Sequence, residues 1–268
     1  MLRLSSIHLV GAVEELRGIP EGKVLINTIN AHSYNVAQKD EAFAEALRTI
    51  DNSQLTIDNG CVKYLIPDGA SIVKACRWLK AKSQPKERIA GWDLFAFEMQ
   101  RLEGRSEGRS EKWKVKSEKC GKVMFMGSSE RVLRLIRERA AEDYPNLEIV
   151  TYSPPYKAEF TEEDNRAIVQ AINEAKPDLL WIGMTAPKQE KWTYQHWKEL
   201  DIDCHVGTIG AVFDFYAGTA TRAPKWWQAH GLEWLYRLMI EPRRMWRRYV
   251  IGNPLFIWNI RKELRGKN

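Results

Sequence analysis

Apolar, β-branched runs alternate along this chain with stretches whose apolar residues recur every three or four positions, the pattern of βαβ units wound around a parallel sheet. GKVLINTIN, residues 22–30, leads into SYNVAQKDEAFAEALRTI, residues 33–50, where the spacing predicts a helix. LIPDGASIVKACRWLKA reads as a short strand, a turn at Pro67-Asp68-Gly69 and a second helix. KVMFMGSSERVLRLIRERAAE, LEIVTYSPP, TEEDNRAIVQAINEAKPDLLWIGMTAPKQEKW and CHVGTIGAVFDFYAG continue the alternation more regularly. Residues 103–119, EGRSEGRSEKWKVKSEK, repeat EGRS and are almost wholly polar and charged, which predicts a mobile surface loop between the halves.

Ligands of open parallel sheets bind beyond the carboxyl ends of the strands. That rule puts Gly127-Ser128-Ser129, Gly183 to Lys188 and Gly207 to Gly210 on one rim, where helix N-termini offer free N–H groups to a diphosphate. GSS is not a G-x-G-x-x-G fingerprint, and no G-x-x-x-x-G-K-[ST] phosphate loop occurs, which weighs against dehydrogenase and P-loop readings. Cys61, Cys76, Cys120 and Cys204 are widely spaced, without a CxxC pair or a Cys/His cluster, so reduced structural thiols are expected and no metal site.

At 268 residues, 44% hydrophobic and 28% charged, the chain is long enough for one α/β domain with an appendage. Its net charge of +6 is unevenly placed. Residues 222–268 hold 11 Lys and Arg against 3 Glu, a net +8, and five of the eleven Trp, while residues 1–221 hold 30 against 32. Arginine beside Trp226, Trp227, Trp234, Trp246 and Trp258 suits an anionic membrane surface, with nucleic acid the rival partner. No run approaches a bilayer span, and Glu14 and Glu15 interrupt the start before any cleavage-like site, so a cytoplasmic protein is expected.

More specific strings lie on this frame. TINAH (28–32), PDGASIV (67–73), ERIAGWDLF (87–95), GMTAPKQEKW (183–192), GAVFDFYAGTATRAPKWW (210–227) and GLEWLYRLMIEPRRMWRRY (231–249) resemble, in the same order, the WecG/TagA/CpsF glycosyltransferase family. The resemblance implies a Rossmann-like α/β core, residues 1–221, and a C-terminal helical, basic aromatic membrane-docking appendage, residues 222–268. It implies an inverting, metal-independent enzyme with no cofactor, using a UDP-sugar as donor and a polyprenyl-diphosphate-linked sugar as acceptor. Relatives build wall teichoic acid, enterobacterial common antigen and exopolysaccharide, moving N-acetylmannosamine, its uronic acid or hexoses. About ten extra residues around DNGCVKYL, and the EGRS segment, depart from the family pattern. The expected location is the inner face of the cell membrane, peripherally bound; a homo-oligomer is left open.

Inverting transfer needs a base for the acceptor hydroxyl. Asp68 is the candidate, at the position of the family's proposed base; Pro-Asp-Gly is also an ordinary turn. Thr28 and Asn30 match positions that contact donor sugar or acceptor, and each is equally suited to cap a helix. His32 is either a neutral hydrogen-bonding group or an acid or base. On the donor side stand Gly127, Ser128, Gly183, Thr185, Lys188, Gln189 and Asp214. Pro187 fits a first helical turn that would let Lys188 and Gln189 reach phosphate or uridine, the alternative being an exposed Lys-Gln-Glu surface. Asp214 sits between two Phe and requires a partner, either a ribose or uracil group or Arg222. Asp201-Ile202-Asp203 looks like a D-x-D metal motif but precedes a strand, and reads as a solvated turn at the wrong end. Leu232, Leu235, Tyr236, Met239, Trp246 and Val250 keep helical spacing, with Pro242 starting a second helix. The resemblance assigns arginines of this appendage to the leaving diphosphate, with Arg237, Arg243, Arg244, Arg247 and Arg248 as candidates. A nucleic-acid-binding module leaves the glycine rim and the PDG turn unexplained, and a nucleotide-dependent oxidoreductase lacks its fingerprint.

Overall fold

The computed structural model describes residues 1–49, 61–107, 121–224, 226, 227 and 230–266. After a 3₁₀ turn at Val13–Gly18, the chain forms β1 (Val24–Ile29), α1 (Ala31–Ala37), α2 (Glu41–Leu47), β2 (Val62–Pro67), α3 (Ala70–Trp78) and α4 (Gly91–Glu107). There follow β3 (Gly121–Gly127), α5 (Glu130–Asp143), β4 (Leu147–Tyr152), α6 (Glu162–Ala175), β5 (Leu179–Gly183), α7 (Lys188–Gln195), β6 (His205–Thr208) and α8 (Gly210–Tyr216). The tail forms α9 (Glu233–Ile240), α10 (Pro242–Trp246), a π-helical turn (Arg247–Ile251) and α11 (Gly252–Arg265). The six strands make one parallel sheet in the order β2-β1-β6-β5-β3-β4, so every carboxyl end lies on the same rim.

Period-two alternation in strands buried on both faces builds two of the three cores. Val123, Phe125, Leu179 and Trp181 face α4, α5 and α8, while Met124, Met126, Leu180 and Ile182 face α6 and α7. The third core closes the β1–β2 flank, where Leu2, Leu4, Ile7 and Leu9 meet α1, α2, α3 and, from the tail, Phe256 and Ile260.

That third core extends across the expected boundary at residue 221. The end of the tail is part of the core: Glu263 of α11 accepts hydrogen bonds from the Leu4 and Ser5 amides at 3.2 and 2.7 Å and from the Tyr34 hydroxyl at 2.6 Å. An amphipathic helix whose apolar face has a core to close is held there, whatever its charge. Two sequence boundaries also change. The helix expected over 33–50 is two helices, because the Asp40 side chain accepts from the Phe43 amide at 2.9 Å and so starts α2 afresh. Residues 103–107 of the predicted loop complete α4; the rest of that segment, and residues 58–60 of DNGCVKYL, lie outside the described residues. Cys61, Cys76 and Cys204 are buried free thiols, each pushed up to about 12 by burial, in keeping with inert structural cysteines.

Candidate active site

Parallel pairing of Thr28 with Ile66 and Ile29 with Pro67 makes β1 and β2 end side by side, so residues 38 positions apart meet at the rim. The Asp68 amide donates to Ile29 O at 2.8 Å, and Gly69 takes φ +141°, a conformation that suits glycine, before α3 begins. Asn30 caps α1 and also meets Asp68. Its Oδ1 accepts from the His32 and Ser33 amides at 3.1 Å, capping α1, and its Nδ2 donates to Asp68 Oδ2 at 3.4 Å. Half-buried Thr28 lies two residues back on β1.

Burial, above all, raises the Asp68 carboxyl above the usual carboxylate range; the Asn30 hydrogen bond and the charges of Arg248 and Arg88 oppose this, and Glu233 adds to it. His32 is held neutral, its imidazole lowered to about 4 by burial and then by Arg248. The tail therefore reaches Asp68. A Cβ on Gly231 would lie 3.7 Å from Ala70 Cβ, which sets the start of α9 against the start of α3. Arg88 forms a close ion pair with Glu233, and Arg222 stacks on Trp92 at 5.3 Å with Asp93 and Glu233 each 4.0 Å away. Neither Arg88 nor Glu233 is singled out by sequence, although both stand inside the family strings.

The five appendage arginines separate. Arg248 acts on Asp68 and His32. Arg237 stacks on Phe215 at 5.3 Å, beside Asp214. Arg243 and Arg247 are exposed, Arg247 lying 5.3 Å from the Trp246 ring, and the Arg244 side chain lies outside the described residues. Arg222 is engaged by Asp93 and Glu233, so it does not supply the partner sought for Asp214; Thr219 Oγ1 does, 3.4 Å from Asp214 Oδ1.

Farther along the rim, β3 and β5 end together at Gly127 and Gly183. Gly127 has φ +118°, and a Cβ there would lie 2.4 Å from Gly183 O. Ser128, at φ +58°, accepts from the Ser153 hydroxyl at 2.8 Å, and Ser129 caps α5. Gly127→Ala is therefore expected to cost at least about 1 kcal/mol of stability and to push the ends of β3 and β5 apart. Urea unfolding checks the first effect and UDP titration the second; wild-type values in both would show that this approach is dispensable.

The β5–α7 loop differs from both alternatives open at the sequence level. Thr185 is exposed, and Pro187 is the N-cap of α7 rather than part of its first turn. Lys188 Nζ donates to Lys157 O at 2.6 Å and sits 3.4 Å from the Phe160 ring, drawn toward the β4–α6 loop. Gln189 is buried: its Oε1 accepts from the Met184 amide at 3.1 Å and its Nε2 donates to Glu190 Oε1 at 2.9 Å. Glu190 is buried too, with Oε2 lacking a hydrogen-bond partner, and burial raises its carboxyl to about 7. Asp201-Ile202-Asp203 lies at the amino edge of the sheet, the Asp201 amide donating to Asn173 Oδ1 at 2.8 Å. Among the described residues no three His, Cys, Asp or Glu side chains are grouped to hold a metal ion.

One rim thus carries the Asp68 carboxylate with Arg88 and Arg248 near it, and the paired ends of β3 and β5 at Gly127 and Gly183. The sequence profile of the Glycosyl transferase WecG/TagA/CpsF family matches residues 2–268. Among similar proteins is the N-acetylglucosaminyldiphosphoundecaprenol N-acetyl-beta-D-mannosaminyltransferase of Bacillus subtilis strain 168, 26% identical over 243 residues, covering 91% of this chain and 81% of that protein. Proteins of the same name from Bacillus spizizenii W23 (28% identical over 202 residues; 75% and 69% covered) and Staphylococcus aureus NCTC 8325 (26% over 243; 90% and 81%) are also similar. With the match running through both ends of the rim and the tail, the chain belongs to the WecG/TagA/CpsF family of glycosyltransferases.

Proposed function

We propose that this glycosyltransferase moves an N-acetylmannosamine-type sugar from UDP to a sugar carried on a polyprenyl diphosphate, with inversion and without a metal ion, in assembly of a cell-envelope polymer. The observation that carries the proposal is Asp68, shielded at the joined ends of β1 and β2, held by Asn30 and faced by Arg248 and Arg88. In the proposed reaction Asp68 takes the proton of the acceptor hydroxyl as that oxygen bonds to the anomeric carbon. The bond from that carbon to the diphosphate oxygen breaks on the opposite face, and UDP departs with the electron pair. Negative charge grows on the leaving diphosphate, and guanidinium groups stabilise it where other enzymes use a metal ion. Arg248 is the strongest candidate of the five for this role. The donor nucleotide is assigned to the rim between the Gly127 and Gly183 ends of β3 and β5 and Asp68, with its diphosphate toward Arg248 and Asp214 reading the nucleoside.

The acceptor's lipid suggests how the tail is used. Trp234, Met239, Ile240, Trp246, Val250, Ile251, Ile257 and Trp258 are exposed, with Arg243 and Arg247 exposed among them, which suits an anionic headgroup layer. Among the described residues no helix is long and apolar enough to cross a membrane, so a peripheral contact is proposed. The deciding experiment is a panel of UDP-sugars with a synthetic lipid-diphosphate-linked N-acetylglucosamine, read by UDP release, product mass and anomeric configuration, with and without EDTA. Transfer of N-acetylmannosamine as the inverted anomer in EDTA is expected. Retention at the anomeric carbon removes the base assignment, and loss of turnover restored by Mg²⁺ or Mn²⁺ removes metal independence.

A further inference from the structure

Short as it is, α1 carries three polar side chains that reach three parts of the site. Asn30, its N-cap, donates to Asp68. His32, in its first turn, feels the charge of Arg248. Asn35 lies three residues beyond His32, on the same side of the helix. It is only 6% exposed, and both ends of its amide engage the tail: Nδ2 donates to Gly252 O at 2.7 Å, and Oδ1 accepts from Asn259 Nδ2 at 3.0 Å.

Gly252 is where the π-helical turn Arg247–Ile251 gives way to α11; its amide donates back to Arg247 O and Tyr249 O. A π turn inserts a residue into the helical ladder, so moving its end by one position swings neighbouring side chains by roughly 100° about the axis. The direction taken by Arg248 therefore depends on where the turn stops. A buried amide bonded at both ends resists such a slip, because each broken bond strands a buried polar group.

The geometry points to Asn35 as a positioning residue: through Gly252 and Asn259 it fixes the end of the π-helical turn and so keeps the Arg248 guanidinium in reach of Asp68 and His32. Its effect on turnover rests on Arg248 stabilising the leaving diphosphate, as proposed above. Asn35→Ala, Arg248→Ala and the double variant are compared in the full chain by initial rates of sugar transfer, melting temperature and NMR titration of His32. A misplacement near an ångström costs about 10²-fold, so Asn35→Ala is expected to lower kcat by about 10- to 100-fold with little change in donor KM. In an Arg248→Ala background the same substitution should cost less than about twofold, because the two residues act through one group. Equal losses in both backgrounds overturn the proposal, since a residue that only stabilises the fold acts independently of Arg248. Wild-type turnover in Arg248→Ala would instead sink the catalytic role of that arginine. Positioning is then decided by His32, whose imidazole must titrate higher in Asn35→Ala, as it does once the Arg248 charge is removed; an unmoved His32 overturns it. Should Asn35→Ala fail to fold, Asn259→Ala removes one of the two bonds at a half-buried position and supplies the same cycle, in which unequal losses support positioning and equal losses overturn it.

Discussion

Asp68→Asn is expected to lower sugar transfer by about 10²- to 10⁴-fold, the usual cost of removing a general base, while UDP affinity stays within about threefold of wild type. The two effects are expected to separate because the side chain is proposed to act on the acceptor oxygen at the β1–β2 end of the rim, whereas the nucleoside end of the donor is assigned to the side where β3 and β5 end. Asparagine keeps the volume and can still meet Asn30, so the loss reports chemistry rather than collapse of the turn. The pH profile gives a second check. Burial disfavours the charged form of Asp68, so the acid limb of wild-type turnover should lie above the usual carboxylate range and vanish in the residual activity of Asp68→Asn. A folded variant with unchanged turnover would return Pro67-Asp68-Gly69 to the role of an ordinary turn.

How far such a site can be seen in sequence depends on how its parts are brought together. The rim was legible, because a parallel sheet puts all strand ends on one side and each strand announces itself by its apolar run. The Asn30–Asp68 contact was not legible from periodicity: it requires the register of β1 on β2, across residues that no spacing rule links. Arg88 stands in ERIAGWDLF like any surface arginine, and only the packing of α9 beside α3 reveals its partner Glu233. Among the tail arginines, sequence offered five equivalent charges, and only the packed tail sets Arg248 toward Asp68 and leaves Arg247 exposed beside Trp246. Charge counting, which set the boundary at residue 221, also does not show which side of α11 is buried. The basic residues of α11 mark its solvent side, while Phe256 and Ile260 on the other side close the core over Leu2 and Leu4. Removing residues from 222 onward would strip that core.

Glu190 gives the second large effect. Its signal was present in GMTAPKQEKW, where Gln189, Glu190, Trp192 and Thr193 share the buried side of α7, a stripe that ordinarily excludes a carboxylate. With its carboxyl raised from 4.5 to about 7, the folded protein holds this proton more tightly than the unfolded chain does. Stability therefore falls as pH rises between those two values and is level above them. The sign is that of a desolvated acid, opposite to a salt-bridged one. Glu190→Gln keeps an oxygen for Gln189 Nε2 and cannot ionise, so its advantage over wild type should grow from under about 1 kcal/mol at pH 5 to about 3 kcal/mol at pH 8. Urea unfolding of both proteins at the two pH values measures this directly. A difference that stays flat from pH 5 to pH 8 would mean that Glu190 titrates normally, and that some charge or water meets its Oε2. If the difference grows as expected, transfer by the two proteins should be compared at pH 8. Glu190 accepts from Gln189, which in turn accepts from the Met184 amide and shapes the β5–α7 loop. Ionisation strengthens that first hydrogen bond even as it weakens the fold. A variant that is more stable at pH 8 yet binds UDP less tightly would show the carboxylate ordering the donor loop at the expense of stability; equal affinity would confine Glu190 to the fold.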